Sequence, residues 1–411
     1  MNWNLKQQVY LVDCTLREGD QAPGVGMTPE EKLEIALLLD QAGVTMADVG
    51  MPALGAEERS FISQAVQACT RMKVGASVRC IPKEVELALD CGVSAVFVIC
   101  PISRSHLETR LRISLAELFS QLHVIAKLVH NAGASLEVVA EDASRSQRED
   151  LAQLIERAIQ VQAQRVYLAD TVGCLTPSGF TNLVHDALRV ADNRVALGVH
   201  CHNDLGLATA NTIAAIEAGI RWPTATVNGI GERAGNASLG EVAVASEHIL
   251  GLVTGFDNTM LPRLSRQVEE VSGILLSPTA PLVGLNAFRH ESGIHVDGLL
   301  KDPRNYEFVH PEVVGRKRKL VLGKHTGRAH LRALLQSMGL EASDKVLQEL
   351  LTRLRSEATG RGRSRFLELK KLLESWAAEE FGVSFERFRE LLSAVGLEKE
   401  LTISTLSKTN Q

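Results

Sequence analysis

His200 and His202 stand one residue apart in the string His200-Cys201-His202-Asn203-Asp204, at the end of an apolar run. In an extended strand, side chains two positions apart share a face. Two imidazoles converging at a strand end read as metal ligands; the alternative is an ordinary pair of polar strand-end residues. The string Asp13-Cys14-Thr15-Leu16-Arg17-Glu18-Gly19-Asp20-Gln21 offers Glu18 as an anionic third ligand and Arg17 as a fixed cation. By itself it reads equally well as a structural salt bridge. A metal and an arginine facing one pocket suit an enolate or a 2-oxo acid, because both carry oxygen charge to be stabilised. Gly229-Ile230-Gly231-Glu232-Arg233-Ala234-Gly235-Asn236 has GxGxxA spacing, but no second dinucleotide-binding half follows it. Asn236 could instead complete the metal shell. For a carboxylate with two imidazoles, a divalent magnesium or manganese ion is expected, with zinc, cobalt and iron also suited.

Short apolar or β-branched runs recur through the first two thirds of the chain, each followed by a helix-like stretch, which predicts parallel βα units. Eight strands are expected: Val9 to Asp13, Met46 to Gly50, Val74 to Arg79, Ala95 to Cys100, Leu136 to Glu141, Arg165 to Asp170, Val195 to His200 and Thr224 to Gly229. Thr28-Pro29-Glu30-Glu31 supplies an N-cap, a proline at the first helical position and a capping-box glutamate. Gly92, Gly133 and Gly219 sit where left-handed helix ends belong. Eight such units predict an α/β (β/α)8 TIM barrel over residues 1–262, with chemistry at the strand C-termini. Polar residues gather there: Arg17 and Glu18, then Arg79, Ser103, Glu141, Asp170 with Thr171, His200 with His202, and Asn228 with Glu232. A connector over residues 263–326 and a small C-terminal helical domain over residues 327–411 complete the expected organisation. The string His290 to Gly298 shows little periodicity and reads as structural, and the run Arg316-Lys317-Arg318-Lys319 as a solvated face.

Net charge is −5, from 44 basic and 49 acidic residues, so no global field draws the chain to nucleic acid or to an anionic membrane. Seven scattered cysteines without a CxxC pair argue against a disulfide framework and for a reducing, cytoplasmic setting. No signal peptide or membrane span is expected. GxSxG, Walker A and HExxH strings are absent from the sequence, which removes the commonest nucleophile, nucleotide and zinc-protease readings.

Together these strings resemble the DRE-TIM metallolyase family, in particular its Claisen-condensing branch of isopropylmalate, homocitrate and citramalate synthases. Asp13 to Gln21 is similar to the family's DTTLRDGEQ, and His200 to Asp204 to its HxHND. Further similar strings are Glu141 to Arg145, Ala169 to Gly173, Asn228 to Asn236, Gly293 to Gly298 and Leu322 to Gly327. The resemblance implies a divalent ion held by Glu18, His200 and His202, with Asn236 beside or on it. It implies Arg17 at the keto oxygen, Thr171 at a substrate carboxylate, and Gln21 and Ser103 as further substrate contacts. The family's catalytic histidine and tyrosine, contributed by the partner subunit of a homodimer, correspond to His295 and Tyr306. His295, Tyr306 and Glu141 are all candidates for the base, and Arg79 and Arg145 for contact with a second substrate carboxylate.

The implied reaction joins acetyl-CoA to a 2-oxo acid and then hydrolyses the thioester. Cys14, Glu18 and Asp20 depart from the commonest motif, and glutamate at position 18 tilts the expectation toward 2-oxoglutarate. Ser77 stands where lysine-pathway relatives carry histidine. Similarity at Gln21 to Val25, Cys100 to Ser103 and Asp297 to Tyr306 points to the nitrogen-fixation group of homocitrate synthases, whose product serves the nitrogenase iron–molybdenum cofactor. The chain stops at 411 without the regulatory domain typical of isopropylmalate synthases, so leucine feedback is not expected. The alternatives are 2-isopropylmalate or citramalate synthesis and, in another class, hydroxyacyl-CoA cleavage.

Overall fold

The computed structural model describes residues 7–360, 362, 367 and 385–394. Eight parallel strands close into a barrel in chain order: β1 (Val12–Asp13), β2 (Met46–Asp48), β3 (Lys73–Arg79), β4 (Ala95–Pro101), β5 (Ser135–Glu141), β6 (Arg165–Asp170), β7 (Ala196–Cys201) and β8 (Trp222–Ala225). Between and after them run α1 (Pro29–Ala42), α2 (Ala56–Ala68), α3 (Pro82–Asp90), α4 (Leu115–Asn131), α5 (Arg148–Gln160), α6 (Pro177–Ala191), α7 (Ala208–Glu217) and α8 (Leu239–His248). The barrel is the TIM fold that the strand and helix alternation predicts. A full capping box marks the start of α1, where Thr28 Oγ1 accepts from Glu31 N and the Glu31 carboxylate accepts from Thr28 N. Gly92, Gly133 and Gly219 take φ of 81°, 73° and 118°, a backbone region that L side chains rarely adopt.

Strand eight is shorter than its sequence suggests. It ends at Ala225, and Asn228 lies in a 3₁₀ turn with φ 61°. The cause lies in its neighbour: beyond Asp13 the chain turns into a π-helical segment, Thr15–Gly19, so β8 has no ladder partner after Ala225.

Alternation along each strand sends one set of side chains outward to the helices and the other into the barrel. The inward set builds a packed floor at the N-terminal end. Arg165 Nε and Nη2 donate to Glu137 at 2.7 and 2.6 Å, and its guanidinium lies 3.9 Å from the Trp222 ring centroid. Trp222 in turn stacks on Tyr10, centroids 4.4 Å apart. Above them Phe97 and Tyr167 fill the centre, 5.6 Å apart. Two glycines make room for these rings. A Cβ at Gly198 would lie 2.4 Å from Tyr167, and one at Gly75 would lie 2.7 Å from Phe97.

After the barrel come α9 (Leu261–Ser272), the two-stranded pair β9 (Arg289–His290) and β10 (Lys319–Leu320), α10 (Gly293–Lys301), α11 (Arg328–Ser337) and α12 (Asp344–Ala358). Phe288 and Val314 join the main core. Helix α10 falls where the sequence shows little periodicity. Its start is set by a close backbone approach, for a Cβ at Gly293 would come within 2.7 Å of Gly327. The basic run is not a uniformly solvated face: Arg316 donates to the carbonyls of Val283 and Gly284, and Arg318 to Glu307. Helices α11 and α12 share a small core of Leu331, Leu347 and Leu351.

By its contacts the chain divides into Met1–Ser356 and Glu357–Gln411. In the second unit one helix, Phe385–Ala394, is described, and the rest of the expected helical region beyond residue 360 lies, apart from residues 362 and 367, outside the described residues. Among the described residues no helix is long and apolar enough to cross a membrane.

Candidate metal centre and barrel mouth

Every element that carries a candidate ligand delivers it to the C-terminal end of the barrel. The π-helical turn after β1 presents Arg17 and Glu18, the end of β7 presents His200 and His202, and the loop after β8 returns Asn236 against His202. One ligand atom each from Glu18, His200 and His202 lies within 4.8 Å of the others, and all three residues are buried. His200 Nε2 is 3.3 Å from Glu18 Oε1 and 3.2 Å from His202 Nε2. The Asn236 amide lies 3.3 Å from His200 Nε2.

A carboxylate oxygen and two imidazole nitrogens converging on one buried space are a donor set that fits a divalent cation. Two further features agree. His200 Nδ1 pairs with Thr224 Oγ1 at 2.8 Å, which orients the ring and leaves Nε2 turned into the site. Among the described residues, Asn236 Oδ1 and His202 Nδ1 are buried without partners. The oxygen and nitrogen of an amide are interchangeable in shape, so a flipped Asn236 turns its carbonyl oxygen toward the ligands.

The electrostatics favour the ligand forms. Burial opposes ionisation of Glu18, but Arg17, with smaller contributions from the two histidines, holds its carboxyl well below the usual range. Burial and, secondarily, His200 push the His202 imidazole down to about 3, so it is neutral and able to bind a cation. Arg17 is fixed between Glu18 and Asp48, whose Oδ2 accepts from Arg17 Nε at 2.7 Å and from Ser77 Oγ at 2.7 Å. Asp48 Oδ1 is buried and has no partner among the described residues. Sequence reasoning passed over Asp48; an acidic residue closing the otherwise apolar β2 was the available signal. Asp13, by contrast, is closed on itself. Its oxygens accept from Thr15 N and Oγ1, and burial raises its carboxyl to about 7.

A second group forms on the rims of β4, β5 and β6. Arg110 forks onto both oxygens of Glu141, and His106 lies 3.8 Å from Glu141 and 3.8 Å from Asp142. Thr171 Oγ1 accepts from Asp142 N at 2.8 Å, and Ser103 Oγ accepts from His106 N at 3.4 Å. Arg145 pairs with Asp142, Arg79 folds back onto Glu84, and Gln21 is exposed with its amide 3.4 Å from Met51 Sδ. His295 and Tyr306 stack on each other, ring centroids 4.2 Å apart, in the segment after the barrel.

Residues 8–268 match the HMGL-like family, and residues 282–361 match the homocitrate synthase post-HMGL domain-like family. Homocitrate synthase AksA of Methanopyrus kandleri is 40% identical, covering 90% of this chain and 93% of its own. A putative (R)-citramalate synthase CimA of the same organism is 40% identical, covering 85% of this chain and 68% of that one. Its probable 2-isopropylmalate synthase is 39% identical, with 85% and 70% covered. Among solved structures, an HMG-CoA lyase from Brucella melitensis has a TM-score of 0.60 at 20% identity, covering 65% of this chain and 100% of that one. At that identity the likeness is one of fold.

Proposed function

The chain belongs to the HMGL-like family, and we propose that it is a homocitrate synthase, joining acetyl-CoA to 2-oxoglutarate and hydrolysing the thioester to homocitrate and CoA. The observation that carries the reading is the convergence of Glu18, His200 and His202 beside Arg17 in the mouth of the barrel. A divalent ion held there would polarise the carbonyl of a bound 2-oxo acid. Arg17, locked by Asp48, supplies a second positive charge to the oxygen that becomes anionic as the carbon–carbon bond forms. Thr171 at the end of β6 orients the carboxylate of the 2-oxo acid. His295 and Tyr306, brought by the partner subunit of a homodimer, remove a proton from the acetyl methyl group and supply one to the oxygen that becomes anionic as the carbon–carbon bond forms. Glu141 is the lesser candidate, since both its oxygens already accept from Arg110. The motif resemblance supports a product destined for the nitrogenase iron–molybdenum cofactor.

A second reading is 2-isopropylmalate or citramalate synthesis. Ile99 and Val139, paired in register on β4 and β5, are both only half-buried and put apolar surface on the inward face. The deciding assay is release of free thiol from acetyl-CoA with 2-oxoglutarate, 2-oxoisovalerate or pyruvate. Fastest release with 2-oxoglutarate is expected; the reverse ranking rejects homocitrate synthesis, and cleavage of a hydroxyacyl-CoA without condensation rejects the whole class.

A further inference from the structure

Among the described residues the chain has two π-helical turns, Thr15–Gly19 and His106–Leu111. Such turns are rare and recur at functional sites. Each here sets an arginine against a carboxylate at the C-terminal end of the barrel, Arg17 against Glu18 and Arg110 against Glu141. The first pair belongs to the metal centre. In the second, Glu141 is only the lesser candidate for the base, and Arg110 has no role in the reaction derived above.

Glu141 is the last residue of β5 and shares its inward face with Glu137, which meets Arg165 in the floor, and Val139, which packs on the central rings. Its carboxylate therefore turns toward the mouth and carries Arg110 with it. The manner of pairing matters. Arg79 and Arg145 commit their Nε and Nη2 edges, the edge that receives a carboxylate side-on, to Glu84 and Asp142. Arg110 meets Glu141 end-on through Nη1 and Nη2. A guanidinium has five N–H donors, so the Nε edge of Arg110 keeps its hydrogens for another acceptor. The side chain is 47% exposed, open to a solute in the mouth.

We infer that Arg110 recognises the second carboxylate of a dicarboxylic 2-oxo acid, with Glu141 as the residue that aims it. The inference rests on the condensing-enzyme reading and names the side chain that separates dicarboxylic from monocarboxylic substrates. A side-on arginine–carboxylate pair is directional as well as charged, so it selects for the position of the second carboxylate and not for charge alone.

The test uses the full-length, magnesium-loaded protein and two ligands of equal length, 2-oxoglutarate and 2-oxovalerate, followed by calorimetry and by thiol release. Arg110→Ala is expected to weaken 2-oxoglutarate binding by roughly 10- to 100-fold, the size of a lost charge-assisted pair. Its affinity for 2-oxovalerate stays within about twofold on the same principle, and the kinetic loss appears in KM. Arg110→Lys restores part of the preference, because charge returns without the fork. Unchanged 2-oxoglutarate binding in Arg110→Ala, or equal loss for both ligands, overturns the inference while leaving the condensing activity in place. A wild-type enzyme that neither binds nor condenses 2-oxoglutarate overturns the reading beneath it.

Discussion

At the N-terminal end of the barrel a buried glutamate and arginine neutralise each other; at the C-terminal end a similar pair shares its space with two imidazoles, a second carboxylate and an amide. Glu137 has both oxygens bonded, to Arg165 and to Ser135, and an indole covers the guanidinium. Around Glu18 and Arg17, by contrast, Asp48 Oδ1, His202 Nδ1 and Asn236 Oδ1 are buried with no partner among the described residues. Burying polar atoms unpaired is costly, and a fold tolerates it where something outside the chain is to be bound. The Glu137–Arg165 pair is internally satisfied and the group around Glu18 is not, so substitutions at the two ends should fail in different ways.

The largest effect is expected at the mouth. His202→Ala should lower kcat/KM by roughly 10⁴-fold and abolish stoichiometric metal binding while leaving the melting temperature of the metal-free protein nearly unchanged. Elemental analysis that finds a full complement of metal in the variant would dissolve the distinction. At the floor the pattern should invert. Arg165→Met strands the Glu137 carboxylate and should cost about 3–5 kcal/mol of stability by denaturant titration, with kcat of the folded fraction retained. A stable but inactive variant would show that the floor takes part in chemistry.

Thr224→Val probes the layer between. Removing the partner of His200 Nδ1 should weaken metal affinity by roughly 10- to 100-fold with little loss of fold, and unchanged affinity would leave Thr224 without an orienting role. The smallest effect concerns acid. Burial holds the folded His202 imidazole at about 3 against an ordinary value of 6.5, so the unfolded chain takes up the proton first as pH falls. Its contribution to stability is complete above about pH 6.5 and disappears toward about pH 3. Metal-free wild-type protein should therefore lose more melting temperature between neutral pH and about pH 4 than His202→Gln does, and parallel curves would sink the assignment.

The barrel was legible because its repeat is written twice, in strand spacing and in helix ends such as Thr28 to Glu31 and Gly133. The convergence of the two histidines was legible for a local reason, since residues at i and i+2 share a strand face whatever surrounds them. What the sequence hid is what depends on partners far along the chain. Asp48 is one acid in an apolar strand until Arg17 and Ser77 are seen to donate to it. Arg110 belongs to an unremarkable polar loop until Glu141, 31 residues on, is found in its fork. Arg79 and Arg145 are the sequence's candidates for a second substrate carboxylate, and each is held by an acid within five residues of it, Glu84 and Asp142. The end of β8 was misjudged because its length depends on where its neighbour β1 stops.

Gly198 and Gly75, by letting Tyr167 and Phe97 seat themselves across the centre, also determine traffic. With rings above and the Arg165–Trp222–Tyr10 stack below, the axis of the barrel is plugged from beneath, and solvent cannot drain through it. Reactants and products must share a single doorway.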